Sequence, residues 1–308
     1  MLEQCAAQTK KAPVAVKQSK AKKKGKRSLT NKQRKLIGNA VWGVVITLIA
    51  ITLLFPFFVM VVRSLMTEDE IYNFPKLLPS GFAFANYYDA ERFTDFLKWG
   101  GNTLTVVVFN IIGTIISAFL CAYGFAKVRF KFKSIIFGLT MASTMLPSIT
   151  LRIPLYLMYA EWGWLDGTLK PLIVPAFFGG GALNIFLIMQ FIKGIPNSTL
   201  ESARIDGANE LVCLFKIVLP NCLPIVALIS VNTFLGVWND YSSSLIYLSN
   251  SEEKWTLALG FYKTSLDPAF RENKQMAMGV LMCIPSLIIF GFSQKLLIEG
   301  VSISGMKA

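Results

Sequence analysis

Histidine does not occur in this 308-residue sequence, and charged side chains make up only 16% of it, where a soluble domain usually carries about 25%. Without imidazole there is no side chain for a histidine general base or a mixed His/Cys zinc site. The five cysteines form no C-x-x-C pair, which favours a role as small apolar residues. Together with a mean hydropathy of +0.52, these absences exclude a disordered chain and argue against an ordinary soluble enzyme.

Positive charge is abundant but concentrated at one end. Residues 1–35 contain 12 Lys and Arg and one acid, Glu3, whereas charges in the rest nearly balance. The segment has low complexity and no apolar periodicity, so we expect a disordered cytoplasmic tail held to anionic lipid by about 1 kcal/mol per basic residue. A nucleic-acid arm is the alternative, and nothing else in the chain favours it. The predicted organisation is this tail followed by a transmembrane domain, residues 36–308.

Long apolar runs dominate that domain. A helix needs about 20 apolar residues to cross a hydrocarbon core of ~30 Å, and six segments reach this length. They are Gly38–Val62, Gly101–Ala126, Ser134–Ala160, Pro171–Ile192, Asn221–Asn239 and Gln275–Gln294. The sequence therefore predicts an all-α polytopic membrane protein with six transmembrane helices, the third interrupted by Arg152.

The Lys and Arg of the short loops predict the orientation, because basic residues beside a span are retained in the cytoplasm. Residues 127–133 carry four bases and no acid, while the loops 63–99 and 250–274 mix both charges. We therefore expect both termini in the cytoplasm. Arg152 and Asp240 are the only ionisable residues that we place near membrane depth, which argues against an ion-coupled carrier.

Residues 194–220, between the fourth and fifth predicted spans, have the pattern of a helix, a turn and a second helix. Ser198 and Glu201 have the S-x-x-E spacing of a capping box, which predicts a helix start near Ser198. Asp206-Gly207 is typical of a turn, and Leu211–Val218 predicts an amphipathic helix that ends before the following proline. We expect an elbow on the cytoplasmic face. Its small residues would either admit another protein or pack only against the chain's own spans.

The run Glu201-Ser-Ala-Arg-Ile-Asp-Gly-Ala208, followed by Ile217-Val-Leu-Pro220, resembles the EAA loop of binding-protein-dependent ABC importer permeases. That loop has the pattern E-A-A-x-x-D-G-A and, about eight residues later, I-x-L-P; Ser202 replaces the first alanine. Other runs are similar to the carbohydrate-uptake branch, specifically its maltose-permease G-like subunits. They are Ala122–Phe130, Met145–Pro147, Ile153–Tyr156, Asn184–Leu187 with Gln190, Trp238–Tyr241 and Gly300–Lys307.

The resemblance implies a type I importer permease of MetI-like fold in a bacterial cell membrane, and no enzyme activity. The chain has no G-x-x-x-x-G-K-[ST] loop, so a partner ABC ATPase dimer would use ATP and Mg²⁺, and this chain would bind no cofactor. A second, homologous permease subunit and an extracytoplasmic sugar-binding protein would complete the complex. Within a coupling helix at Leu200–Ala208, Glu201 would make a polar contact with the ATPase, Gly207 would allow the turn, and Asp206 would cap the next segment. The ATPase-coupling residues would be Glu201, Ser202, Ala203, Asp206, Gly207 and Ala208.

A sugar site needs aromatic faces and hydrogen-bonding amides or carboxylates in an otherwise apolar cavity. The outer half of the fifth predicted span offers such a set. The candidate substrate-binding residues are Asn232, Trp238, Asn239, Asp240 and Tyr241. Packing and interhelical hydrogen bonds are the alternative role for all of them, and they are the favoured role for Asn184 and Gln190 on the fourth span.

Two other functions fit the sequence less well. A permease for another solute, such as a peptide or a polyamine, would share the coupling loop. A membrane-embedded transferase would need clustered carboxylates or a histidine, and only Glu68-Asp69-Glu70 comes near. The sequence thus predicts a permease subunit of an ATP-driven importer for a sugar or oligosaccharide, without specifying the glycan.

Overall fold

The computed structural model describes residues 31–72 and 76–305, and within these ranges all regular structure is helical. The helices are α1 (Asn31–Ser64), α2 (Glu68–Tyr72), α3 (Ala85–Arg92), α4 (Phe96–Lys127), α5 (Lys133–Ala142), α6 (Ser148–Glu161), α7 (Lys170–Ile173), α8 (Ala182–Lys193), α9 (Asn197–Ile205), α10 (Glu210–Val212), α11 (Leu219–Asn221), α12 (Leu223–Trp238), α13 (Tyr241–Leu248), α14 (Leu257–Ser265) and α15 (Glu272–Gly305).

Four stretches of these helices are long and apolar enough to cross a membrane, and the number rises to six, the predicted count, if each of two bent pairs is one span. The four stretches that are long and apolar enough by themselves are Gly38–Ser64, Phe96–Lys127, Lys170–Lys193 and Glu272–Gln294. The two bent pairs are Lys133–Met145 with Ser148–Glu161 at 99° and Glu210–Asn221 with Leu223–Trp238 at 79°. The total is six when each bent pair counts as one span.

The third predicted span is bent at Pro147, whereas Arg152, the charge that interrupts its apolar run, does not interrupt a helix. Leu146 is extended, with ψ of 121°, and Pro147 precedes the first turn of α6. A proline disfavours the helical conformation of the residue before it. Arg152 lies inside α6, which continues to Glu161.

The chain divides into two units, with the boundary after Phe55. The first is helical from Asn31 to Phe55, so residues 31–35, which we assigned to the basic tail, already belong to α1. Residues 1–30, the greater part of that tail, lie outside the described residues, as do the last two residues of the Gly300–Lys307 run. The second unit, from Pro56 onward, contains both hydrophobic clusters described next.

The larger cluster joins α4, α8 and the elbow. Ala118 and Ala122 of α4 are fully buried in it together with Ile188 and Ile192 of α8, since small side chains let two helices approach closely. Leu200 of α9 is also buried there. Burial of a leucine side chain contributes about 1.5–3 kcal/mol, so packing attaches the elbow firmly to these two helices.

The smaller cluster lies at the opposite end of α4. Its members come from α3, α4, α12, α14 and α15 and include Trp99, Phe234 and Trp238. At this end the Asn102 amide donates to the carbonyl oxygens of Glu253 (2.9 Å) and Trp255 (3.0 Å). We call it the distal end, and we call the end that carries residues 195–221 the elbow end.

Candidate functional site

The turn of the elbow is built on a glycine in the left-handed conformation. α9 ends at Ile205, and Gly207 has φ of 84°, a region that glycine enters without steric cost. The Ala208 N–H donates to the carbonyl oxygen of Ala203 at 2.9 Å and closes the helix end. A Cβ at position 207 would meet nothing within 4 Å, so backbone conformation and not space requires glycine here. The predicted Asp206-Gly207 turn is confirmed.

The helix caps differ from those that the sequence predicted. α9 begins at Asn197 without a side-chain cap, and the Ser202 hydroxyl donates to the Ser198 carbonyl oxygen at 3.0 Å, so the capping box is wrong although the helix start is within one residue. Asp206 does not cap the next segment. The Asn209 side chain does, accepting from the Val212 N–H at 2.8 Å. The signal was available, because an Asn followed by an acid is typical of a helix start.

The second helix of the elbow does not end before Pro220. After α10 the chain continues as a π-helix over Cys213–Val218 and then as α11, which contains Pro220. Pro220 lies in the first turn of α11, where a missing backbone N–H is tolerated. The bend follows at Cys222, between α11 and α12.

A polar clamp fixes the two helices of the elbow to each other and to α4. The Arg204 guanidinium donates to both carboxylate oxygens of Glu210, at 2.9 and 3.2 Å, and this hydrogen bond raises the pKa of Arg204 above its ordinary value. The Tyr123 hydroxyl donates to the same carboxylate. On α4, the Lys127 ammonium donates to the Ile195 carbonyl oxygen at 2.7 Å. Sequence reasoning missed this clamp because its partners on α4 and in the elbow are 68 and 87 residues apart.

The predicted coupling residues lie together at the tip of the elbow. Glu201, Ser202, Asp206 and Gly207 are exposed, whereas Ala203 and Ala208 are half-buried against the larger cluster. Beside the acids, Ile205 is 86% exposed. An exposed face of acidic, small and apolar groups on a firmly packed base can serve as a docking surface. Contact of these residues with an ATPase stays a prediction.

At the distal end, a cavity of about 220 Å³ is lined by one carboxylate, Asp240, and several hydroxyl groups. The Asp240 carboxylate accepts from the Ser243 N–H at 3.0 Å and caps α13. The Thr256 hydroxyl donates to that of Ser244 at 2.9 Å. Tyr247 also lines this cavity, and burial raises the pKa of its hydroxyl. The positive charge of Arg152 opposes this increase, whereas the negative charge of Asp240 adds to it. The cavity can therefore offer hydrogen bonds and one negative charge to a polar ligand.

Of the predicted substrate residues, the structure brings only Asp240 to this cavity. Trp238 is 4% exposed, its indole N–H donates to the Met282 carbonyl oxygen at 3.1 Å, and its ring stacks on Phe234. Trp238 is the last residue of α12, whereas Asp240 lies in the break before α13, so the two side chains do not reach the same cavity. Trp238 therefore has a packing role in this structure.

The other candidates make local contacts. Asn239 donates to the Leu235 carbonyl oxygen at 2.8 Å, Tyr241 stacks on Tyr262 with centroids 5.1 Å apart, and Asn232 is exposed on α12. Asn184 donates to the Gly180 carbonyl oxygen at 2.7 Å, a local bond and not the interhelical bond that we favoured for it. Any contact of these residues with a substrate stays a prediction.

Comparison with known proteins places these features in a family. Residues 110–303 match the family model of the binding-protein-dependent transport system inner membrane component. The arabinooligosaccharides transport system permease protein AraQ of Bacillus subtilis (strain 168) is 29% identical, covering 87% of this chain and 97% of AraQ. The melibiose/raffinose/stachyose import permease protein MelC of the same organism is 28% identical, covering 82% of this chain and 91% of MelC.

The fold is also similar to a solved structure. A chain in the crystal structure of a bacterial ABC transporter involved in the import of the acidic polysaccharide alginate aligns with a TM-score of 0.77. It is 24% identical, and the alignment covers 87% of this chain and 98% of that one. The family match spans more than half of the sequence and includes the whole elbow. The chain therefore belongs to the family of binding-protein-dependent transport system inner membrane components.

Proposed function

We propose that this chain is the permease subunit of an ATP-driven importer for a sugar or oligosaccharide, coupled through its elbow to a separate ATPase. The family consists of transport components and not of enzymes, and it implies a binding protein and an ATPase as partners. The observation that carries the proposal is the elbow, whose exposed Glu201, Asp206 and Ile205 surround a left-handed glycine on a packed base.

Coupling by this elbow would be mechanical. The tip would lie in a cleft of the ATPase, and movement of the ATPase would displace α9. Because Leu200 is buried among α4 and α8 side chains and Lys127 bonds to the Ile195 carbonyl oxygen, α4 and α8 would follow as a rigid body. Rigid-body motion of this kind would alternate the access of the transmembrane path between the two faces of the membrane.

The relatives support a carbohydrate as the solute. Their names refer to arabinooligosaccharides and to melibiose, raffinose and stachyose. All of these are polyhydroxylated, and the hydroxyl groups and the Asp240 carboxylate of the distal cavity would hydrogen-bond such a molecule.

The rest of the complex follows from the same proposal. A second, homologous permease subunit would complete the transmembrane path, with both termini of this chain in the cytoplasm. ATP and Mg²⁺ would be used by the ATPase, and this chain would bind no cofactor. The basic tail, residues 1–35, would rest on anionic lipid.

The test is stimulation of ATPase activity in the reconstituted complex. The chain is purified with its second permease subunit, ATPase and binding protein, placed in lipid nanodiscs, and supplied with a panel of mono- and oligosaccharides, peptides and polyamines. We expect a carbohydrate to stimulate ATP hydrolysis. Stimulation by peptides or polyamines alone would overturn the assignment of the solute, and activity indifferent to every solute would overturn the importer.

A further inference from the structure

The structure contains a second cavity of about 650 Å³, lined almost wholly by aromatic and apolar side chains. Trp162 and Phe178 lie on its walls and are 53% and 81% exposed. Tyr159 and Pro175 line both this cavity and the polar cavity at Asp240, so the two adjoin. We call the larger one the aromatic cavity. It lies at the distal end, because Tyr159 in its wall contacts Tyr247, which lines the polar cavity there.

A row of four rings joins the two cavities. The centroids of Trp162 and Trp164 are 5.0 Å apart, those of Trp164 and Tyr159 are 5.3 Å apart in a stacked pair, and Tyr159 meets Tyr247 edge-on at 5.4 Å. Tyr247 lines the polar cavity. Since such contacts contribute beyond buried area alone, the inner rings hold Trp162 firmly in place.

The backbone is shaped to present these indoles. Gly163 has φ of 65°, a conformation in which other residues are strained. The Trp164 N–H donates to the Tyr159 carbonyl oxygen at 2.9 Å, and the Thr168 hydroxyl donates to the Trp164 carbonyl oxygen at 2.7 Å. The turn after α6 is therefore an ordered element that carries two tryptophans into one cavity.

We propose that the aromatic cavity binds a pyranose ring of the transported glycan between Trp162 and Phe178, while the next sugar unit occupies the polar cavity at Asp240. This inference rests on the proposed function and specifies the length of the transported glycan: the substrate has at least two sugar units and is an oligosaccharide. The apolar faces of a pyranose ring match aromatic walls, and its hydroxyl groups match the polar cavity. The two volumes together fall within the range of about 300–1,000 Å³ typical of small-molecule sites.

Two other occupants could cover the same indoles. Tryptophans at the end of a span can lie among lipid headgroups, and an aromatic surface can pack against the second permease subunit. The glycan is favoured because the surface is concave and because it opens beside a chamber lined by hydroxyl groups and a carboxylate. Neither lipid nor a flat protein interface requires that second chamber.

The test compares substrate lengths in the complete complex with its binding protein. Trp162→Ala, Phe178→Ala and a control, Trp42→Ala, are assayed for uptake of one glycan series from monosaccharide to tetrasaccharide. Trp42 is 68% exposed on α1 and lines neither cavity. We expect Trp162→Ala and Phe178→Ala to raise KM for the disaccharide and the longer glycans by about 2- to 10-fold, the size of one aromatic contact. The KM of the monosaccharide, which fills the polar cavity alone, and the Trp42→Ala values should change less than twofold, and Trp162→Phe should restore most of the loss.

Several results would overturn the inference. KM could stay constant for every length, or it could rise equally for all of them. The Trp162→Ala chain could also lose the second permease subunit during purification, which would identify the indole as an interface residue. A wild-type complex that transports no glycan at all would instead overturn the proposed function, so the two failures are distinguishable.

Discussion

The tip of the elbow is shaped by bonds between residues close in sequence, with Tyr123 and Lys127 attaching it to α4, whereas the distal end depends mainly on bonds between distant residues. In the elbow, Arg204 reaches Glu210 six residues away and the Asn209 side chain caps Val212 three residues away. At the distal end the partners are far apart in sequence. Asn273 bonds to Asn86 across 187 positions, Arg63 pairs with Glu272 across 209, and the Leu257 N–H bonds to the Thr103 hydroxyl across 154.

This difference teaches how the chain divides its tasks. Local bonds give the elbow a shape of its own, which is what a part displaced by another protein requires. Long-range bonds give the distal end a shape only when α1, α3, α4, α14 and α15 are all in place. Changes at the tip of the elbow should therefore affect coupling with little loss of stability, whereas changes in the buried, hydrogen-bonded part of the distal end should mainly lower stability.

Gly207→Trp should produce the largest effect on transport. The new side chain would occupy the exposed tip, and its backbone would be strained at φ of 84°. We expect the complex to assemble in the membrane and ATP-driven uptake to be abolished, as measured by copurification and by uptake into proteoliposomes. Gly207→Asn is the matched control, because asparagine tolerates the left-handed conformation, and it should retain most activity. Normal uptake by Gly207→Trp would count against the docking role of the elbow.

Gly260→Ala should give the largest loss of stability. A Cβ at this position would lie 2.1 Å from the ring of Trp99, a residue that is 2% exposed. Forcing the indole to move should lower the free energy of unfolding by about 3 kcal/mol, visible as a lower thermal midpoint in detergent. Gly236→Ala in α12 is the control, since a Cβ there meets nothing within 4 Å and alanine favours a helix. Equal midpoints for the two variants would show that the distal end is loosely packed.

The same contrast explains what the sequence could predict. The helix and turn of elbow residues 198–207 could be predicted because helix and turn signals act over a few positions. Even there, the cap of the next helix was assigned to Asp206, whereas the structure has it at Asn209. The six apolar segments were readable from length alone. The break at Pro147 was not located by length, because the apolar run continues across it and only the backbone restriction imposed by the proline ends the first helix there. The burial of the Trp238 side chain could not be predicted, because its hydrogen-bond partner on α15 is 44 residues away and no local sequence pattern indicates that contact.

Asn86→Ala should destabilise the distal end by a smaller amount. The buried amide donates to the carbonyl oxygens of Ser64 (2.9 Å) and Met66 (2.8 Å) and accepts from Asn273. Its removal leaves buried groups without partners, at about 2 kcal/mol. The double variant with Asn273→Ala should cost less than the sum of the single changes, because the two amides share one hydrogen bond. Additive losses in thermal unfolding would mean that the two amides act independently.

Glu70→Gln should have the smallest effect, confined to acid pH. The side chain and backbone N–H of Ser80, and then the Thr67 N–H, hydrogen-bond the Glu70 carboxylate and lower its pKa to about 2 from an ordinary 4.5. Because the folded pKa lies below the unfolded one, the stabilisation is complete above pH 4.5 and is lost as pH falls toward 2. The measurement is the rate of hydrogen exchange of the Thr67 amide in the variant divided by the rate in the wild type, because the pH dependence of the intrinsic exchange rate cancels in this ratio. The ratio should exceed one at neutral pH and approach one near pH 2. A ratio independent of pH would mean that this loop is ordered by something other than the local bonds of the carboxylate, and the distal end would then depend on its long-range bonds alone.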